Sequence, residues 1–180
     1  QDIYDTFSWL GIHWDEGPDV GGDFGPYVQS EREDLYRRHA AELIEKGLAY
    51  KAYETPAELE AMREAGGYDR SARELTAEQR AAYEAEGRKP VVRFKVPMEG
   101  DTVFEDVVLG KVKRKNKDIP ADPVLLKSDG LPTYHLANVV DDHYMEISHI
   151  LRAQEWVPSG ALHVLLYRAF GWEPPVYCHL

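Results

Sequence analysis

The sequence predicts an α/β domain interrupted by an α+β segment, and three observations lead there. From Tyr134 onward the chain reads helix, strand, helix, with a short strand of buried type, Ile147 to Leu151, between the two helices. Such a strand, flanked by helices, is the pattern of a parallel sheet covered on its faces. The opening residues hold an amphipathic helix, with Ile3, Phe7 and Leu10 on one face. Between the two ends the periodicity changes, first to surface helices and then to period two. Both ends therefore belong to one α/β domain, and the α+β middle is inserted into it.

Each element has its own signal. Gly11 stops the first helix, and a loop rich in Gly, Pro and Asp follows from Gly17 to Pro26. Ser30 and Glu33 have capping-box spacing. Leu35, Tyr36, Ala40, Leu43 and Ile44 then form one helical stripe that ends at Gly47. Leu48 to Tyr53 reads as a short strand. Thr55-Pro56-Ala57-Glu58 opens a helix with Pro at its first position, and Gly66-Gly67 closes it. Thr76 and Gln79 cap another, which ends near Gly87. Val91 to Val96, parts of Thr102 to Val108, and Lys111 to Lys115 alternate as strands. Val124 to Lys127, the turn Ser128-Asp129-Gly130, and Leu131 to Tyr134 suggest a hairpin. A short helix from about Tyr134 to His143 and a longer one from about Ser159 to Phe170, stopped by Gly171, complete the chain. No internal repeat or low-complexity segment occurs.

Composition excludes several classes. With 180 residues, 43% hydrophobic and 29% charged, the chain can bury a core and is not a disordered one. No apolar run approaches the ~20 residues of a membrane span, and the start at Gln1 resembles neither a signal nor a transit peptide. That start reads as the inside of a helix, hence as a fragment boundary. Cys178 is the only cysteine, so an internal disulfide and a Cys-rich zinc site are excluded, and a cytosolic compartment fits. The net charge of −11 argues against a general nucleic-acid binder. Lys111, Lys113, Arg114, Lys115 and Lys117 form one basic patch; a solvated, charged edge strand is its more ordinary reading.

Some residues have chemistry that can be read directly. Tyr134 and Asn138 are four apart, so on a helix their hydroxyl and amide converge on one face. They can meet a small polar substrate, or be a core aromatic and a surface amide. Arg152 follows the apolar strand, at the carboxyl end where open α/β sheets bind ligands. Its guanidinium can grip a carboxylate with two parallel hydrogen bonds. An exposed ion pair is the usual use of an arginine; the place after the strand favours the ligand. Trp156 can wall a pocket or simply pack in the core. His135, His143 and His163 have no convincing metal or triad spacing.

Three stretches carry a family resemblance. They are Trp9-Leu10-Gly11-Ile12-His13-Trp14-Asp15-Glu16-Gly17-Pro18 with Gly25-Pro26-Tyr27-Val28-Gln29-Ser30-Glu31-Arg32, then Ser128 through His143, and then Leu151-Arg152-Ala153-Gln154-Glu155-Trp156 with His163-Val164-Leu165-Leu166-Tyr167. Together they resemble the bacterial-type glutamyl-tRNA synthetases, over essentially the whole chain. The resemblance implies a partial class I Rossmann-type catalytic domain at 1–27 and 132–180. It implies an inserted α+β acceptor-stem-binding domain at 28–131. It implies activation of L-glutamate with ATP and Mg²⁺ and transfer to the 3′ end of tRNA(Glu), in a cytoplasmic monomer. A tRNA acceptor-stem module without catalysis, or a glutamyl transferase that modifies tRNA, are the alternatives.

The resemblance also implies roles. Tyr134 and Asn138 contact the amino acid, Arg152 takes its side-chain carboxylate, and Trp156 walls the pocket. Glu155 lies near the ATP ribose or base. Asp141-Asp142-His143 orders the tRNA 3′ end or braces the junction with the insertion, or is a solvated helix end. Arg93 and Lys127 are candidates for acceptor-stem phosphates, or exposed strand positions. Glu146 stands where the family often has Gly, and Gln154 where it often has Glu. No side chain is needed as a general base, because catalysis rests on positioning and charge stabilisation of an in-line attack on the α-phosphate. The family's HIGH and KMSKS signatures fall outside this sequence, so the chain alone is expected to be inactive. Some relatives hold zinc through cysteines in the stretches matching Tyr50 to Tyr53 and Tyr68 to Arg73. Here those stretches have none, and structural zinc needs four Cys or His ligands. Elemental analysis of the purified chain is therefore expected to find no stoichiometric zinc; one tightly held zinc per chain would contradict this.

Overall fold

The computed structural model describes residues 2–180, which form two compact units divided after Arg32. In the first, α1 spans Asp2–Trp9. Gly11, at φ +69°, ends it, with the Ile12 N–H reaching back to the Phe7 carbonyl at 2.9 Å. No residue of α1 is buried, although the rings of Tyr4 and Phe7 lie 5.5 and 5.9 Å from that of Trp14. Gly17 and Gly21 exchange two backbone hydrogen bonds across the loop, and the Tyr27 hydroxyl donates to Glu16. The expected capping box at Ser30 does not form. Gln29–Glu31 is a 3₁₀ turn instead, so Ser30 lies inside a turn rather than at an extended N-cap.

The second unit begins with α2, Glu33–Glu45. Tyr36, Ala40 and Leu43 are buried as the stripe requires, and Leu35 and Ile44 pack against them. Next come β1, Ala49–Ala52; α3, Pro56–Glu64; and α4, Ala77–Ala85. Both helices have the expected capping boxes: the Glu58 N–H donates to Thr55 Oγ1 at 3.3 Å and the Gln79 N–H to Thr76 Oγ1 at 3.2 Å. Strands β2 (Val91–Phe94), β3 (Asp101–Asp106), β4 (Gly110–Lys115) and β5 (Val124–Leu126) follow. The hairpin expected at Leu131 to Tyr134 shrinks to one bridge, Leu126 to Pro132, because α5 (Tyr134–Tyr144) starts at once. Strand β6 is His149–Arg152, α6 is Val157–Phe170 and β7 is Val176–His179. Glu146 takes φ +52° after α5. That conformation costs a non-glycine residue ~1–2 kcal/mol, which is a physical reason for glycine there.

Two sheets result. One has the order β1-β2-β5, all antiparallel. The other has the order β4-β3-β7-β6, with β6 parallel to β7, β7 parallel to β3, and β3 antiparallel to β4. It is thus a mixed sheet. Strand β7 was not signalled by the sequence: four residues after Pro174-Pro175 are too short for a periodicity. The stretch Ile147 to Leu151 is not a buried strand. Strand β6 is an edge with a single neighbour, and Leu151 is 65% exposed. At the opposite edge, β4 presents Lys111, Lys113 and Lys115 to solvent, the protective pattern of an edge strand. No helix among the described residues is long and apolar enough to cross a membrane.

One apolar core runs from α2, β1, β2 and β5 to α5 and α6, without a gap at residue 131. Beside it, the stretches at 50–53 and 68–73 close around Asp122, which is fully buried. Its carboxylate accepts from the Tyr50 hydroxyl at 2.7 Å, from Arg73, and from the Val96 N–H at 3.1 Å. Arg93 donates to the Asp122 carbonyl at 3.0 Å and lies 3.8 Å over the Tyr68 ring. Arg93 is therefore neither an exposed strand position nor placed to meet a phosphate; it is buried, because β2 is the central strand of its sheet. Asp122→Ala leaves the Arg73 charge and two hydrogen-bonding groups unpaired. Urea denaturation should show a loss of ~3–5 kcal/mol; a change under ~1 kcal/mol would show that the network contributes little.

Candidate functional site

Because β6 and β7 are parallel and in register, their last residues, Arg152 and His179, stand side by side at the carboxyl ends of the strands. Arg152 Nε donates to His179 Nε2 at 3.0 Å and Nη1 to the Tyr134 hydroxyl at 3.3 Å. Its Nη2 is shut off from solvent with no partner. Tyr134 is the first residue of α5, and its ring lies 4.9 Å from that of Trp156, which sits in the 3₁₀ turn Gln154–Trp156 directly after β6. Tyr134, Arg152 and Trp156 are thus brought together, as expected.

Asn138 is one turn along α5, and Asp142 one turn further. Asn138 Oδ1, Asp142 Oδ2 and the hydroxyls of Tyr167 and Tyr177 are all buried without partners. Burial, and then the neighbouring Asp141, push the Asp142 carboxyl up to about 6, against the opposing pull of Arg152 and a hydrogen bond from Asn138. Burial likewise raises the Tyr167 and Tyr177 hydroxyls, and both feel Arg152 and Asp142. Asp142 is therefore not a solvated helix end; it belongs with the polar groups around Arg152. Asp141 accepts from the Tyr36 hydroxyl of α2 at 2.8 Å, which ties α5 to α2.

His135 Nδ1 and His163 Nε2 are 3.1 Å apart. His163 is fully buried, which pushes it down to about 3, and burial lowers His135 too. One neutral ring donates and the other accepts. His143 stacks on Trp172 at 3.7 Å. Glu155 is exposed in the turn after β6, and Lys127 is exposed and paired with Asp129 at 3.1 Å. The residues that sequence reasoning missed are His179 and its partner Asp106 of β3, at 2.6 Å. They are 73 residues apart, and no spacing signals them.

A parallel strand pair joined by a helix, with an arginine and a polar helix face at its carboxyl end, defines an α/β ligand-binding domain. Residues 1–180 match the family model for the catalytic domain of class I tRNA synthetases (E and Q), and the chain belongs to that family. It is 56% identical to the glutamate–tRNA ligase of Borrelia recurrentis, covering the whole chain and 37% of the relative. It is 52% identical to that of Treponema denticola over the same shares. Among solved structures it is similar to the glutamate–tRNA synthetase of Elizabethkingia anophelis, with TM-score 0.90, 38% identity, and coverage of 99% of this chain and 39% of that one. A glutamate–tRNA ligase from Elizabethkingia meningosepticum, in complex with its amino acid, gives TM-score 0.91 at 38% identity, covering 99% of this chain and 38% of that one. The chain thus spans somewhat over a third of the length of these relatives.

The raised Asp142 carboxyl has a consequence for stability. The folded state holds its proton between pH ~4 and ~6, where the unfolded chain has released it, so this residue makes stability fall as pH rises through that window. Asp142→Asn removes the buried charge. Its stability relative to the parent should therefore improve between pH 5 and pH 8, by ~1 kcal/mol, since about one pH unit of the window lies in that range and the site is partly open to solvent. Chemical denaturation at both pH values measures this; a pH-independent difference would mean that Asp142 ionises in the fold as it does in water.

Proposed function

We propose that the chain carries the amino-acid-binding part of a glutamate–tRNA ligase, which activates L-glutamate with ATP and Mg²⁺ and passes it to the 3′ end of tRNA(Glu). The observation that carries this reading is the buried, unpartnered Nη2 of Arg152. Its guanidinium is held on the Nε side by His179, so the edge formed by Nη1 and Nη2 is left to fork a carboxylate. Donors left unpaired in a buried site cost free energy, and a glutamate side chain satisfies them. A glutamine amide turns its own N–H groups toward the fork and is rejected for that reason. Tyr134 and Asn138 supply a hydroxyl and an amide for the rest of the amino acid, and Trp156 excludes water from one side.

The remaining assignments rest on the family pattern. Glu155, exposed just past β6, is suited to accept from ribose hydroxyls of ATP. Residues 28–131 form the inserted acceptor-binding domain, with 1–27 and 132–180 as parts of the catalytic domain. Lys127, which is exposed, suits an acceptor-stem phosphate, whereas Arg93 is buried away from one. Asp142 is reassigned from the tRNA 3′ end to the wall of the amino-acid pocket.

The test is Arg152→Ala in a full-length ligase containing this segment. Loss of one partner of a buried charge pair costs ~2–5 kcal/mol, so kcat/KM for glutamate should fall about 30-fold to several-thousand-fold, with ATP binding little changed. Arg152→Lys should also be poor, since an ammonium keeps the charge without the planar fork. Glutamate kinetics within about threefold of the parent, or ~0.7 kcal/mol, would mean that Arg152 does not hold the substrate carboxylate.

A further inference from the structure

We propose that Asp106 and His179 are positioning residues that fix the Arg152 guanidinium in the orientation needed to fork a carboxylate; this rests on the assignment of Arg152 to the substrate. The three side chains come from three neighbouring strands, β3, β7 and β6, and form one line of hydrogen bonds. The side chains of Asp106 and His179 are both fully buried. Asp106 Oδ1 accepts from the Val108 and Leu109 N–H groups at 3.0 and 2.9 Å. Its Oδ2 faces the His179 backbone N–H at 3.2 Å and the ring Nδ1 at 2.6 Å. Burial alone would raise this carboxyl, but the hydrogen bonds from Leu109, His179 and Val108 outweigh it and hold it at about 2.

An ionised carboxylate has only acceptors, so the proton between Asp106 and His179 sits on Nδ1. Arginine has only donors, so the His179 Nε2 that meets Arg152 Nε must offer its lone pair. Both ends thus demand the same state: a neutral imidazole with the hydrogen on Nδ1. Asp106 sets the tautomer, and the tautomer sets the direction of the bond to Arg152. The other tautomer would put N–H against N–H and release the guanidinium. With Nε pinned and Nη1 on Tyr134, the plane of the fork is held before any ligand arrives.

Asp106→Asn is the informative change. Every contact of the carboxylate is with a donor, so the new amide NH₂ must turn toward one of them. The imidazole is the group that can adapt, by moving its hydrogen to Nε2. In ¹⁵N-labelled chain, long-range proton–nitrogen correlation should show His179 with hydrogen on Nδ1 in the parent and on Nε2 in Asp106→Asn. Hydrogen exchange at Arg152 Nε should be faster in the variant. In a full-length ligase, Asp106→Asn and His179→Phe should each raise KM for glutamate about 10- to 100-fold, the range for groups that orient a ligating side chain. KM for ATP should stay within about threefold, roughly 0.7 kcal/mol. Added to Arg152→Ala, either change should have no further effect on glutamate KM, because both act through the same guanidinium. Hydrogen on Nε2 in the parent, an unchanged glutamate KM in both variants, or an effect that persists without Arg152 would each overturn the proposal. The parent tautomer decides even if a variant fails to fold. An Arg152→Ala variant without any glutamate defect would instead remove the underlying assignment.

Discussion

Helix α6 is buried along almost its whole length, between α5 on one side and β3 of the mixed sheet on the other. From Gly160 to Tyr167 every residue is buried. A helix that is apolar all round has no solvent side, so it must be enclosed. Ala161, Leu162, Leu165 and Leu166 face the core that also holds α2, α5 and the β1-β2-β5 sheet, while Val164 packs with Phe104 and Tyr177 of the mixed sheet. The approach on the second side is close. A Cβ on Gly160 would meet the Phe104 ring at 2.6 Å. That packing brings β3, with Asp106 at its end, alongside the strands that carry Arg152 and His179.

The unit buries two polar networks, and the difference between them separates structure from site. Around Asp122, both carboxylate oxygens accept, from Tyr50, Arg73 and the Val96 N–H, and the unpartnered atoms there are two guanidinium Nε groups, that of Arg70, 3.5 Å from Asp122 Oδ1, and that of Arg93. Such a network ties β1, β2 and the 68–73 turn together, with its central carboxylate fully engaged by protein donors. Around Arg152 the balance is different. Its Nη2, Asn138 Oδ1, Asp142 Oδ2 and two tyrosine hydroxyls are buried without partners. A fold tolerates that cost where the partners arrive with a substrate. The neutral His135–His163 pair adds no cation beside the guanidinium, so the positive charge at this place is Arg152 alone among these side chains.

What the sequence determined by itself was local. Thr55 and Thr76 carry their capping partners three residues on, and both helices start where those residues say, because a cap needs only the backbone beside it. The stripe of α2, the stop at Gly171 and the i, i+4 pairing of Tyr134 with Asn138 are equally local. Ser30 has the same spacing and fails, since it lies inside a 3₁₀ turn rather than at an extended N-cap. Tertiary structure alone decided the rest. The stretch that forms β6 reads as a buried strand but lies at a sheet edge. Arg93 reads as an exposed basic residue, but the central place of β2 buries it over Tyr68. Asp142 reads as a helix end, but its carboxylate is held from solvent within the field of Arg152. His179 and Asp106 had no signal at all. A hydrogen bond depends on where two strands meet, and β3 and β7 are neighbours only in the assembled sheet; no pattern of residue types 73 positions apart encodes that contact.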